Sequence, residues 1–148
     1  MGDPVTETSI VVLPEEDRTW ELGEIMPAQI APMPEAFVSV AAALECLAGA
    51  VPGHDVKLLD MRSDDEPIEA ALETFKPDIV GLTTYTTEVG VALELAGVVK
   101  KKRPDALTVV GGHHATMLPN DFHSTFMDVV VAGEGEITFR ELVYEYST

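Results

Sequence analysis

The chain has 148 residues, 46% of them apolar and 6% aromatic, with a formal net charge of −17. This length supports one domain with a single sizeable core, and the apolar content suits a globular α/β protein. The charge repels phosphate backbones and excludes nucleic acid as a partner. No apolar run approaches the roughly 18–20 residues of a membrane-spanning helix.

The single cysteine, Cys46, excludes an intramolecular disulfide. The N-terminal "MGDPVTETS" is acidic and lacks the basic start of a signal peptide, so a cytoplasmic location is expected.

In chain order, "SIVVLP" (9–14) predicts the first strand. A connection of residues 14–34 follows, about 20 residues where roughly 2–6 suffice, and it carries Trp20. A loop that long beside a sheet is expected to be functional or a lid.

"EAFVSVAAALECLAGAV" (35–51) predicts a helix with Phe37, Val40, Ala41, Leu44, Leu47 and Ala48 on one face. Cys46 is expected there as a small buried hydrophobe. "DVKLLDM" (55–61) predicts the second strand. "PIEAALETF" (67–75) predicts a helix with Pro67 in its first turn.

"DIVGLTTY" (78–85) and "LTVVGG" (107–112) predict strands three and four, separated by a helix over 87–102. The cluster Lys100-Lys101-Lys102-Arg103 closes that helix, where cations complement its dipole. A short helix or turn is expected within 115–127. "DVVVAGE" (128–134) predicts the fifth strand and "EITFRELVYEY" (136–146) the last helix.

Near-continuous apolar strands alternating with helices imply a parallel sheet covered on both faces. The expected fold class is α/β, a Rossmann-like (flavodoxin-like) doubly wound five-stranded sheet, order 2-1-3-4-5, in one domain over 1–148.

In such sheets ligands bind at the carboxyl ends of the strands. Strand three ends in Thr83, Thr84, Tyr85 and Thr86. Strand four ends in Gly111, Gly112, His113, His114, Ala115 and Thr116. Strand five ends in Gly133, Glu134, Gly135 and Glu136. Hydroxyl, imidazole and carboxylate groups set among glycines suit a bulky, polar-edged ligand that approaches the backbone closely.

Several tenants of the fold are disfavoured by what stands at these ends. A phosphoacceptor aspartate is missing after strand three. The acidic "LPEEDRTW" after strand one opposes a flavin phosphate. Gly133-x-Gly135-x-x-Thr138 half-mimics a dinucleotide fingerprint, but follows the wrong strand and carries Glu134 and Glu136. His113, His114 and His123 lie close in sequence, yet no carboxylate or thiol has zinc-ligand spacing, so no metal site is expected. His114 is expected to line the pocket, and His54 and His123 to be exposed. No catalytic residue stands out.

The ordered set "GHDVKLLD", "PDIVGLT", "VGGHHAT" and "GEGEITF" resembles the cobalamin (B12)-binding domain at the N-terminus of cobalamin-dependent radical SAM enzymes. The resemblance covers nearly the whole chain. It implies that Thr83 bonds the nucleotide tail of cobalamin and that Gly111-Gly112 lets the tail pass near the backbone. It further implies that His113 to Thr116 flank the tail or the corrin edge, and that Gly133 to Glu136 lie against the corrin side chains.

Other branches of the family carry Asp-x-His-x-x-Gly after strand one, with the histidine on cobalt. Here "PEEDRTWELG" holds Asp17 and no histidine precedes His54. Base-off cobalamin with no histidine ligand is therefore implied.

The Cys-x-x-x-Cys-x-x-Cys motif of the radical SAM half is absent from this chain, so S-adenosylmethionine and a 4Fe-4S cluster belong to a domain elsewhere, in the same or another chain. The resemblance implies that the chain is not catalytic alone but serves a methyltransferase or cyclase. Two other readings stay open: a stand-alone interaction or regulatory module without cofactor, and a nucleotide- or flavin-binding flavodoxin-like protein.

Overall fold

A computed structural model describes the backbone of residues 8–13 and, in full, residues 46–61, 65–83 and 88–148. The long connection at 14–34, with Trp20, and the residues Thr84, Tyr85 and Thr86 lie outside the described residues.

Five parallel strands form one sheet among the described residues: β1 (Thr8–Leu13), β2 (Asp55–Asp60), β3 (Ile79–Thr83), β4 (Leu107–Gly111) and β5 (Val129–Val130). Their order is β2-β1-β3-β4-β5, the order favoured from sequence. The helices are α1 (Ile68–Phe75), α2 (Val89–Lys102), α3 (His113–Met117) and α4 (Gly135–Ser147). A helical turn spans 46–49, and a 3-10 turn at Pro119–Phe122 follows α3.

Side chains of a strand alternate between faces, and the two faces of this sheet carry separate cores. On one, Leu59, Val80, Leu82 and Val110 pack with Ile68, Ala71 and Leu72 of α1, Ala92, Leu95, Ala96 and Val99 of α2, and Phe122. On the other, Ile79, Val109 and Val131 pack with Phe139 and Val143 of α4 and with Val51 and Leu47. This is the doubly wound arrangement.

The strand boundaries shift in physically readable ways. Pro67 is the N-cap of α1 rather than a first-turn residue, with extended φ −69° and ψ 149°. The α1 helix ends on Lys76 in the left-handed region at φ 53°, its N–H donating to the Leu72 carbonyl.

The fifth strand is two residues long, far shorter than the run 128–134 suggests. Asp128 still donates its backbone N–H to the Thr108 carbonyl at 3.1 Å, but the Thr108 N–H goes to the Asp128 carboxylate at 2.8 Å instead of a main-chain carbonyl, so the strand starts only at Val129. After Val131, whose N–H donates to the Val110 carbonyl at 2.8 Å, the chain turns at Gly133 with φ 87°.

The basic cluster at the end of α2 makes particular contacts beyond its favourable place at the dipole. Lys100 Nζ donates to the Ala106 carbonyl at 2.7 Å and stands 2.6 Å from the Asp128 carboxylate. Lys102 pairs with Glu73 at 2.9 Å on the exposed surface. Arg103 reaches the Pro77 carbonyl at 3.4 Å and Asp78 at 3.9 Å. Cys46 is exposed rather than buried, because it sits on the outer side of its helical turn while Leu47 turns toward the core. Among the described residues, no helix is long and apolar enough to cross a membrane.

Candidate functional site

The sheet face under α4 is built from alternate residues: Ile79, Gly81 and Thr83 of β3, and Leu107, Val109 and Gly111 of β4. The register pairs Gly81 with Val109 and Thr83 with Gly111. Each strand therefore drops one side chain near its carboxyl end, in a checkerboard. A cleft of about 160 Å³ opens there.

The floor of the cleft is Gly81, Leu82, Thr83, Val109, Gly111 and Gly112. Its walls are Val131 and Gly133 after β5, Gly135, Glu136 and Phe139 of α4, and Leu47 from the helical turn. Among the described residues, only Thr83 and Glu136 bring polar side chains to it.

Two backbone conformations hold the rim. Gly112 takes φ 104° and ψ −172°, a region that side chains exclude, and Gly133 takes φ 87°. Glu136 stands in the first turn of α4, where a carboxylate complements the helix dipole. A carboxylate there accepts hydrogen bonds and opposes a phosphate at that side of the mouth.

The volume decides what part of a ligand fits. An apolar cavity of about 150 Å³ holds a benzene-sized ring, whereas drug-sized molecules need roughly 300–1,000 Å³. The cleft is thus of the order of a single small ring in size, well below that of a whole drug-sized ligand.

Of the residues expected at the site, Thr83, Gly111, Gly112, Gly133, Gly135 and Glu136 come together on the cleft. Glu134 is the exposed N-cap residue of α4 and does not line it. His113 is exposed at the start of α3, also off the lining.

His114 differs from its expected place. It is buried on the opposite side, with Nε2 2.8 Å from the Asp121 carboxylate and its ring edge-on to Phe122 at 5.7 Å. Helical phasing in α3 turns His114 and Ala115 inward together. Thr116 is exposed and spends its hydroxyl on backbone groups of the two glycine turns. His54 is half-buried on the turn before β2, at the far end of the sheet, and His123 is exposed. No group of three potential metal ligands occurs among the described residues.

Sequence reasoning missed Leu47, Gly81, Leu82, Val109, Val131 and Phe139 as lining. Gly81 carried a signal, since a lone glycine inside a strand marks a close approach. The others look like ordinary core positions. A second hollow, between α2 and Ser124–Phe126, lies away from the strand ends, with Phe126 over Gly97.

The chain is similar to proteins of known class. It is 38% identical over 95 residues to an uncharacterized methyltransferase of Pyrococcus horikoshii, covering 61% of this chain and 21% of that protein. It is 36% identical over 70 residues to a cobalamin-dependent radical SAM methyltransferase of Streptomyces tokunonensis, covering 46% and 10%. It is 35% identical over 94 residues to an anaerobic magnesium-protoporphyrin IX monomethyl ester cyclase of Rubrivivax gelatinosus, covering 60% and 17%. The chain thus matches about a fifth or less of these relatives' lengths.

In structure it is similar to a cobalamin-binding protein of Desulfitobacterium hafniense, with a TM-score of 0.56 at 14% identity, over 95% of this chain and 59% of that one. That likeness concerns the fold alone. The sequence model of the B12 binding domain matches residues 36–143, a span that takes in β2 through β5, both glycine turns and most of α4. The chain belongs to the B12-binding domain family.

Proposed function

We propose that this chain is the cobalamin-holding domain of a radical SAM enzyme of the methyltransferase or cyclase type, and that it takes cobalamin base-off with no histidine on cobalt. The observation that carries the reading is the glycine-floored apolar cleft beside Thr83, at the carboxyl ends of β3 and β4. Base-off cobalamin frees an apolar benzimidazole from the metal, and that group needs a slot of its own. A cleft of about 160 Å³ is of the right order for an apolar aromatic ring of that group.

The residues fit such a ligand chemically. Thr83 offers a hydroxyl at the edge of the slot. Gly111 and Gly112 permit approach to main-chain groups. Glu136 accepts hydrogen bonds from hydroxyl or amide donors at the mouth. Thr84, Tyr85 and Thr86 belong to the same proposal from their place after Thr83, as do His113 and Glu134 from theirs beside the glycine turns. The four histidines agree with an absent lower ligand: His54 lies at the opposite sheet end, His114 is engaged with Asp121, and His113 and His123 stand off the cleft.

Bound cobalamin supplies a cobalt centre that carries a methyl group or an electron. The chain's own part is to bind the tail, exclude water from it and orient the ring system toward a partner. That partner is a radical SAM domain with S-adenosylmethionine and a 4Fe-4S cluster, in the same or another chain. The similarity to the Streptomyces and Rubrivivax proteins supports this assignment.

The test is a titration with hydroxocobalamin, followed by desalting and an absorption spectrum. Retention with a base-off spectrum, unchanged by His113→Ala and His123→Ala, supports the proposal. A nitrogen-ligated spectrum lost on either substitution overturns the histidine-free reading. A protein that retains no cobalamin favours an interaction module.

A further inference from the structure

We infer that Thr116 is a positioning residue for the cleft, latching the glycine turn after β4 to the glycine turn after β5. Its hydroxyl donates to the Gly112 carbonyl at 3.0 Å and accepts the Gly133 N–H at 2.9 Å. One proton and one acceptor site are thereby committed, each to a different wall. The inference rests on the cleft being the cobalamin site, and assigns Thr116 a role through Gly112 and Gly133 rather than a direct contact.

The local architecture explains why a latch matters here. The β4–β5 ladder pairs only Val109 with Val129 and Val110 with Val130. The last backbone bond across it is from Val131 N–H to the Val110 carbonyl at 2.8 Å. Beyond that point both chains turn through positive-φ glycines, 104° at Gly112 and 87° at Gly133, which resist distortion less than any other residue. Gly112 and Gly133 both line the cleft. The Thr116 hydroxyl thus joins the two rim turns where the sheet no longer does.

The α3 helix puts the hydroxyl in place. It is five residues long, and the Thr116 N–H itself donates to the Gly112 carbonyl at 3.1 Å. The hydroxyl is therefore fixed one helical turn above the glycine it clamps. Holding a rim in its bound shape before the ligand arrives lowers the ordering cost of binding.

The experiment compares wild type, Thr116→Val and Thr116→Ser. Valine keeps the branched shape and removes the hydroxyl, whereas serine keeps the hydroxyl. The measurements are the dissociation constant for hydroxocobalamin and the exchange rate of the Gly133 amide in ligand-free protein.

Thr116→Val is expected to weaken retention by about five- to tenfold and to speed Gly133 exchange, with an unchanged circular-dichroism spectrum; Thr116→Ser restores both to near wild type. Wild-type binding with an unchanged constant in Thr116→Val overturns the latch and leaves the cobalamin reading standing. So does a loss in Thr116→Ser as large as in Thr116→Val. Wild-type protein that binds no cobalamin overturns the cobalamin reading and this role with it.

Discussion

Thr83 and Gly111 face each other across the β3–β4 ladder, so the Thr83 hydroxyl on the cleft stands opposite a position with no side chain. A Cβ placed on Gly111 meets Val131 Cβ at 3.8 Å, an ordinary contact. The space is therefore kept open for something other than the fold. Gly111→Ala is expected to fold normally, and Gly111→Leu to lose at least tenfold in hydroxocobalamin affinity while its thermal midpoint stays within a few degrees. Equal affinity in Gly111→Leu counts against the cleft as the ligand site.

Gly112 gives the opposite result, a stability effect. Its φ of 104° and ψ of −172° lie in a region essentially reserved for glycine. Gly112→Ala is expected to cost about 1–3 kcal/mol in urea unfolding. An unchanged midpoint shows that the turn relaxes to another conformation.

Asp128 sets a pH dependence. Burial pulls its carboxyl up, but Lys100 together with the Thr108 N–H and hydroxyl outweighs burial and holds it below the usual carboxylate range. A carboxylate depressed in the folded state contributes stability above its unfolded value near 3.8, lost as pH falls through the lower folded value. Asp128→Asn is expected to be less stable than wild type by about 1 kcal/mol at neutral pH, given partial exposure. The gap stays level down to about pH 4 and closes below it. Unfolding titrations at pH 7, 5 and 3 check this, and a gap that widens in acid contradicts it.

Lys76 offers a gain. It closes α1 at φ 53°, where a side chain is strained and glycine is not. Its backbone N–H and carbonyl carry the local bonds, to Leu72 and from Arg103 at 3.5 Å. Lys76→Gly leaves both in place and is expected to raise stability by about 0.5–1 kcal/mol. Chemical unfolding measures it directly.

Among the described residues, most strands and helices were legible because each apolar run had the length and punctuation of a buried parallel strand or an amphipathic helix; the fifth strand is shorter than its run, and residues 35–45 of the first expected helix lie outside the described residues. The glycine turns were legible for the same reason, since Gly111-Gly112 and Gly133-x-Gly135 interrupt such runs. The site's polar residues were read less well. His114 looked like pocket lining by proximity to Gly112, but its direction depends on α3 phasing and on Asp121, seven residues on. Thr116 looked like a ligand contact, but its partner Gly133 is brought near only by the sheet. Leu47 and Phe139 were hidden among the apolar stripes of their helices, since a side chain on a cleft wall and one in the core have the same period.

The checkerboard of Gly81 and Gly111 also divides the site by how readily it can change. At Gly81 and Gly111 the floor is main chain held by the ladder, so its depth changes only by adding a side chain there. The walls include side chains of Leu47, on the helical turn 46–49, and of Glu136 and Phe139, on α4, which can be substituted one at a time. Evolutionary or engineered drift toward a ligand of another size or polarity therefore has its adjustable parts on the helices, while the sheet keeps the slot's depth constant.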